Sequence, residues 1–218
     1  MPAHDIARIL EPFLGGTALS SGQIAAVSAY LDLLQRWNAR INLTAVRDPE
    51  QILTRHFGES FFAARHLFPA DREITKAAPS LADVGSGAGF PGLPIKILCP
   101  AISVTLIESS HKKSTFLREV VRALLLDDAS VLNTRAEDLP SATYDVATLR
   151  AVERFEIVLP TAAGLVAPGG RLALLIGSSQ LDLAHSTLAG WVWSEPVPIP
   201  HSDSRILAVG RKSSKRSY

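Results

Sequence analysis

Apolar residues recur at helical spacing through the first third of the chain and gather into short strand-like runs through the rest. Ser20 and Gln23 have the spacing of a capping box, and Ile24, Val27, Tyr30, Leu31, Leu34, Trp37 and Ile41 follow on one helical face. A second helix start is predicted at Asp48, with Pro49 in the first helical position and Gln51 three residues after the cap. Its stripe continues through Ile52, Leu53, His56, Phe57, Ser60, Phe61, Ala64 and Leu67. A punctuated stretch over 69–79 closes this part. Two amphipathic helices are therefore expected, as an N-terminal helical extension over residues 1–78.

Beyond it the pattern changes to strand, turn, helix. Apolar runs at 81–84, 104–107, 130–132, 146–149 and 172–176 alternate with helical stretches, the clearest carrying Phe116, Leu117, Val120, Val121, Leu124 and Leu125 on one face. Such alternation implies parallel strands with helices packed on both sides. Pro168-Gly169-Gly170 reads as a tight turn launching the strand at Leu172. The tail over 191–210 has prolines at 196, 198 and 200, then the apolar run 206–209, and reads as an edge hairpin closing the sheet. The expected fold class is α/β, a Rossmann-like core over residues 79–218 packed as one unit with the extension.

Composition adds bounds. A chain of 218 residues suffices for one α/β domain and a modest appendage. No apolar run reaches the ~18 residues of a membrane span. The N-terminus carries Asp5 and Glu11 and lacks a basic segment before a long apolar one, so it does not read as a signal peptide. The single cysteine, Cys99, cannot form an internal disulfide and is expected as a small buried hydrophobe before Pro100. These features point to a cytoplasmic protein. A net charge of +1 weighs against wholesale coating of nucleic acid but leaves room for a local basic patch.

The chemistry concentrates in Asp83-Val84-Gly85-Ser86-Gly87-Ala88-Gly89-Phe90-Pro91-Gly92, directly after a strand and before a helical segment. Glycines there let the backbone turn sharply and approach a ligand where a Cβ would collide. The dinucleotide fingerprint places its third glycine one residue later, and no Gly-Lys-Ser/Thr follows as in a phosphate loop. No loop residue is basic, which suits a ligand without phosphates. S-adenosylmethionine, with its sulfonium and ammonium groups, is such a ligand, and Asp83 can serve those amines. Glu108, about 25 residues after the loop, ends the second strand, where an acid can accept both ribose hydroxyls. After the third strand, the backbone amide of Ala136 and an acceptor from Glu137 or Asp138 can read an adenine edge; a helix N-terminus is the alternative for that acidic pair. Arg150 ends the fourth strand. As a pure donor it suits a phosphate, a carboxylate or a guanine O6, with a structural ion pair as the alternative. No metal ligands are assigned.

Together these residues resemble the RsmG (GidB) family, the guanine-N7 methyltransferases of bacterial small-subunit ribosomal RNA. The resemblance covers roughly residues 25 to 178. It includes Trp37-Asn38-x-Arg40-Ile41-Asn42-Leu43-Thr44-Ala45-Val46, the glycine loop through Lys96, Glu108 with Lys112-Lys113 and Phe116-Leu117, Arg135-Ala136-Glu137 and Arg150-Ala151-Val152. It implies a class I methyltransferase sheet, with the cofactor S-adenosylmethionine at Gly85, Phe90, Ala136, Glu137 and Arg150 and Glu108 expected at the ribose. Asp83, Gly87 and Gly89 complete the expected cofactor set. The implied substrate is a guanine in the decoding-region loop of 16S rRNA, within the small ribosomal subunit or a precursor, and a monomer is expected. Lys113 departs from the arginine that family members often carry, which puts the geometry of a phosphate contact in doubt more than its existence.

Guanine N7 holds an in-plane lone pair and no proton, so its methylation needs placement about 3 Å from the methyl carbon and exclusion of water rather than a general base. Accordingly no general base is assigned, and Arg150 is expected to position substrate or cofactor. Arg40, Lys112 and Lys113 are the expected RNA contacts. Arg36 and Arg47, and Arg211, Lys212, Lys215 and Arg216 in the tail, form further basic clusters, each with a solvated face as its alternative. Two other functions fit less of the sequence: methylation of a small molecule or protein, and a non-catalytic rRNA assembly factor that binds the cofactor.

Overall fold

The chain opens on a helix that the pattern above does not predict, α1 (Ala3–Leu14), which buries Ile6, Leu10, Phe13 and Leu14 and ends at the left-handed Gly15. The computed structural model describes residues 1–69, 78–152 and 154–214. Both predicted helix starts form. Ser20 and Gln23 exchange side-chain and backbone hydrogen bonds at the head of α2 (Ser21–Ile41), and the Asp48 carboxylate accepts from the Gln51 N–H at the head of α3 (Pro49–Ile52). The helix predicted from Asp48 is not uniform, however. α3 runs into a π-helical turn (Leu53–Gly58) and then α4 (Glu59–Leu67). The wider turn breaks the 3.6-residue period, and every residue from 56 to 64 is buried. Gly58 allows this crowding, because a Cβ there would lie 2.6 Å from the Phe13 ring of α1.

The remaining elements are β1 (Ser80–Val84), α5 (Gly92–Leu98), β2 (Ser103–Ile107), α6 (His111–Ala123), β3 (Ala129–Leu132), β4 (Tyr144–Arg150), α7 (Phe155–Leu165), β5 (Val166–Gly177), α8 (Leu181–Thr187), β6 (Val192–Trp193), β7 (Val197–Pro198) and β8 (Arg205–Arg211). They form one sheet in the order β3-β2-β1-β4-β5-β8-β6, with β7 also on β8. Strands β1 to β5 pair in parallel and β8 is antiparallel to β5. Strand order reverses at β1, which lies between β2 and β4, so the crevice for a ligand opens at its carboxyl end.

Three details differ from expectation. Pro168-Gly169-Gly170 lies inside β5 as an irregularity, because Val166 pairs with Tyr144 and Arg171 already pairs with Val146. The tail is not a lone edge hairpin: β8 takes an inner position, and β6 and β7 line its outer side. Leu125 leaves the apolar face it was read into. Helix α6 ends at Ala123, Leu125 turns left-handed at φ 49°, and its side chain is 84% exposed. The Leu126 N–H bonds the Val121 carbonyl and the Leu125 N–H that of Arg122, the pairing that closes a helix against its own last turn.

One apolar core joins α1, α2, the π turn and α4 to α5, α6 and one sheet face, running from Ile6 and Phe57 through Phe90 and Phe116 to Leu207. A second lies on the other face beneath α7 and α8, around Leu159, Leu174 and Ala184. This is the α/β sheet with helices on both faces that the alternating pattern implied. Among the described residues no helix is long and apolar enough to cross a membrane.

Candidate functional site

The loop after β1 turns on three left-handed glycines, Gly85 (φ 67°), Gly87 (φ 58°) and Gly89 (φ 88°). At Gly89 space is as limiting as φ: a Cβ would fall 2.3 Å from the Tyr30 Oη and 2.6 Å from Leu93. Asp83, fully buried, braces the loop from beneath. Its Oδ2 accepts the Gly92 N–H at 3.2 Å and its Oδ1 the Thr148 hydroxyl at 2.9 Å. Burial pushes its carboxyl up to about 6, although the hydrogen bonds from Thr148 and Gly92 pull the other way. Both oxygens are thus used within the fold, whereas the sequence pointed this side chain at a ligand's amines.

Glu108 follows β2 and reaches back to the same loop. Its Oε2 accepts the Gly87 N–H at 2.9 Å, and its Oε1 the Ser110 N–H at 2.7 Å. The Asn133 side chain donates to the Glu108 and Ser109 carbonyls, tying the end of β3 to this turn. Ala136 is buried in a short 3-10 turn (Ala136–Asp138), and Glu137 beside it is exposed. Gly85, Gly87, Glu108 and Ala136 therefore lie along the carboxyl ends of β1, β2 and β3. Lys112 is exposed and Lys113 half-buried at the start of α6, and Arg40 is exposed in the last turn of α2.

The helical extension grips the loop. The Tyr30 ring stacks on Phe90 at 5.3 Å and 2°, Phe57 meets Phe90 edge-on at 5.1 Å, and the His56 ring lies 4.9 Å from Phe90. The Tyr30 hydroxyl donates to the Ala88 carbonyl. In the sequence, Tyr30 and His56 are only members of apolar stripes; a polar atom on a buried stripe was the available signal.

A polar network extends from there. Asn38 pairs with both backbone groups of Thr44, whose hydroxyl lies 2.8 Å from the His56 Nε2. The His56 Nδ1 lies 3.0 Å from the Arg150 Nη2, which also donates to the Arg55 carbonyl at 2.7 Å. A guanidinium only donates, so Nδ1 accepts and Nε2 carries the proton towards Thr44. Arg150 pairs with Glu59 at 3.2 Å, and Arg205 of β8 pairs with the same carboxylate at 3.0 Å. Arg150 thus stands in the ion pair that was the alternative to a substrate contact, its side chain 9% exposed. Glu59 and Arg205 went unread, since neither sits in a motif and they are 146 residues apart.

Elsewhere the basic tail is partly spent on the fold. Arg211 donates to the Gly169 carbonyl, and Lys212 to those of Ala163 and Val166, holding the irregular start of β5. Lys215 and Arg216 lie outside the described residues. Cys99 packs against the core, and burial pushes its thiol up to about 11. Among the described residues no three His, Cys, Asp or Glu side chains gather as a metal site.

Burial, and next the Arg150 charge, lower the His56 pKa to about 3. The unfolded chain takes up this proton near pH 6.5, so between 6.5 and 3 it binds more protons than the folded one. The His56 contribution to stability is whole above pH 6.5 and is lost as pH falls, by up to about 1.4 kcal/mol per pH unit. Asp83 has the opposite sign: its raised pKa makes stability fall as pH rises from about 4 to about 6. Urea melts from pH 3 to 6.5 should show a shallower acid slope for His56→Asn than for the wild type. Equal slopes would mean that the imidazole protonates in place.

The sequence profile of the family described as rRNA small subunit methyltransferase G matches residues 23–198. A ribosomal RNA small subunit methyltransferase G of Stenotrophomonas maltophilia is 40% identical over 200 residues, 91% of this chain and 90% of that protein. One from Chloroflexus aggregans is 39% identical over 206 residues, covering 89% and 84%. Among solved structures, a predicted O-methyltransferase from Agrobacterium tumefaciens superposes with a TM-score of 0.56 at 22% identity, over 70% of this chain and 80% of that one. A tRNA methyltransferase of Aquifex aeolicus gives 0.56 at 16% identity, over 71% and 68%; these two likenesses bear on the fold alone.

Proposed function

Because the chain belongs to the rRNA small subunit methyltransferase G family, we propose that it transfers a methyl group from S-adenosylmethionine to N7 of a guanine in the decoding-region loop of 16S rRNA. The observation that carries this reading is the cradle at the switch point: three left-handed glycines beside a buried carboxylate that already accepts two N–H donors. The cradle fits the cofactor. It has no basic side chain for a phosphate, its glycines leave room where a Cβ would intrude, and Glu108, whose oxygens each accept one N–H, keeps a second lone pair on each for ribose hydroxyls. Gly85, Gly87, Gly89, Phe90, Glu108, Ala136 and Glu137 would hold it, with Asp83 and Arg150 supporting the loop and the end of β4. S-adenosylmethionine supplies an electrophilic methyl group on a sulfonium.

The side chains of this site bind and orient rather than remove a proton. The His56 nitrogens are both engaged and its pKa is far below neutrality, while both Asp83 oxygens are committed to Gly92 and Thr148. A target atom with a free lone pair matches that inventory, and guanine N7 is such an atom. In this reading the protein acts as a monomer in the cytoplasm, on 16S rRNA within the small subunit or a precursor, and the helical extension over residues 1–78 and the core over 79–218 work as one unit.

The test is tritiated methyl transfer onto 16S rRNA and small-subunit particles from a strain lacking the enzyme, followed by borohydride–aniline scission, which cleaves at 7-methylguanosine. Scission at one decoding-region guanine is expected, with a chemical step nearly independent of pH between about 6.5 and 9. Methylated RNA that resists scission would overturn the choice of atom.

A further inference from the structure

Positive charge gathers around the end of β4. Arg150 and Arg205 share one buried carboxylate, Glu59; the Asp83 carboxylate is within electrostatic reach of Arg150, but its hydrogen bonds go to Gly92 and Thr148. Arg55 adds a third guanidinium: it is exposed, and among the described residues no carboxylate lies within ion-pair distance of it. His56, between them in the network, is neutral and offsets nothing. The whole chain carries only +1, so this gathering of guanidiniums is a local concentration rather than a share of a general excess. Concentrated like charge costs free energy unless an anion meets it.

The placement of Arg55 favours an anion that comes from solvent. Its main chain is fixed, since the Arg150 guanidinium holds its carbonyl at 2.7 Å and the next residue, His56, packs on Phe90 of the glycine loop. Its side chain is the part left in solvent. The segment after α2 is tied to the same point through Thr44 and His56, and the exposed Arg40 and Arg47 flank that segment. An exposed guanidinium on a rigid base, with two further guanidiniums behind it, matches the fork geometry of a phosphate.

We propose that Arg55 binds a backbone phosphate of the substrate RNA and docks the target nucleotide beside the end of β4. The proposal rests on the reading of the chain as an rRNA methyltransferase. Its rival is a solvated arginine whose only task is to continue the π turn.

The test uses the full chain and a 16S rRNA fragment carrying the decoding region, with wild type, Arg55→Ala, Arg55→Lys and, as a control, Arg8→Ala on the exposed face of α1. RNA affinity is measured across a salt series, cofactor affinity by calorimetry, and turnover as separate kcat and KM. Arg55→Ala should raise the RNA KM about tenfold and lower the log–log salt slope by about one, with cofactor affinity within about twofold. Arg55→Lys should restore the slope and part of the KM, and Arg8→Ala should change neither. An unchanged slope and KM in Arg55→Ala would overturn the proposal, as would equal loss of cofactor and RNA affinity, the signature of a collapsed turn. The slope is read without turnover. Wild-type protein that fails to methylate 16S rRNA would therefore overturn the functional reading, while the slope still decides Arg55.

Discussion

Replacing Glu59 by alanine should cost the fold about 3–5 kcal/mol, the scale for removing one partner of a buried ion pair. The side chain is 3% exposed and is the shared partner of Arg150 and Arg205, whose side chains are 9% and 19% exposed. Without it the largely buried guanidiniums of Arg150 and Arg205 are left without their shared carboxylate, with the exposed Arg55 at the edge of the site. Arg150 keeps the Arg55 carbonyl and His56, and Arg205 the Leu175 carbonyl, but neither set brings a negative charge. Arg205→Met should be milder, because it removes the excess cation and leaves Arg150 paired. The double variant Glu59→Ala/Arg205→Met should lose less than the two single losses added together, since the partners are in contact. Urea midpoints at constant m-value give all four numbers. A loss below about 1 kcal/mol in Glu59→Ala would show that the guanidiniums rehydrate freely and that the cluster is not a closed unit.

Gly89→Ala should be nearly as damaging, by a different route. An alanine at φ 88° pays about 1–2 kcal/mol for left-handed backbone. Its Cβ also collides with the Tyr30 hydroxyl and Leu93, and overpacking of this kind costs about 1–3 kcal/mol more. The collision falls on the contact that joins α2 to the loop, so the loop should shift and affinity for S-adenosylmethionine should drop steeply. Tyr30→Phe removes the hydroxyl that would be struck, although it gives up the bond to Ala88. The double variant should therefore recover part of the lost stability, while Leu93 and the φ penalty prevent full recovery. Gly85→Val should abolish cofactor binding through its branched Cβ at φ 67°, beside Val152, with less effect on the core. Glu108→Ala should weaken binding by about 1–3 kcal/mol. Wild-type cofactor affinity in Gly89→Ala, Gly85→Val and Glu108→Ala together would remove the glycine loop from the cofactor site.

The contrast between these variants follows how each feature could be read. The caps of α2 and α3 were legible because Ser20 with Gln23 and Asp48 with Gln51 satisfy backbone groups three residues away. The glycine loop was legible because only glycine tolerates alternate left-handed positions after a strand. Helix α1 was open to the same reasoning, since Ile6, Leu10, Phe13 and Leu14 keep helical spacing, but it carries no side-chain cap to mark its start. The π turn was not legible, because a period of 3.6 extrapolates smoothly through residues 53–58 and nothing local marks the extra residue.

The sequence by itself determined where the two capped helices start, which apolar runs become β1 to β5, and that Asp83 and three glycines meet at the end of β1. Periodicity, capping and backbone freedom act over a few residues, and those few residues are present in the string. Only the tertiary structure decided what the polar side chains do once there. Arg150 meets Glu59 across 91 residues and Glu59 meets Arg205 across 146, Tyr30 closes on Ala88, and Glu108 finds the Gly87 amide. Such pairs form because folding buries groups that must then be satisfied, and partners are chosen by proximity in the packed core rather than along the chain. That is why Arg150 could be placed at the end of β4 from sequence, yet its partner could not be named.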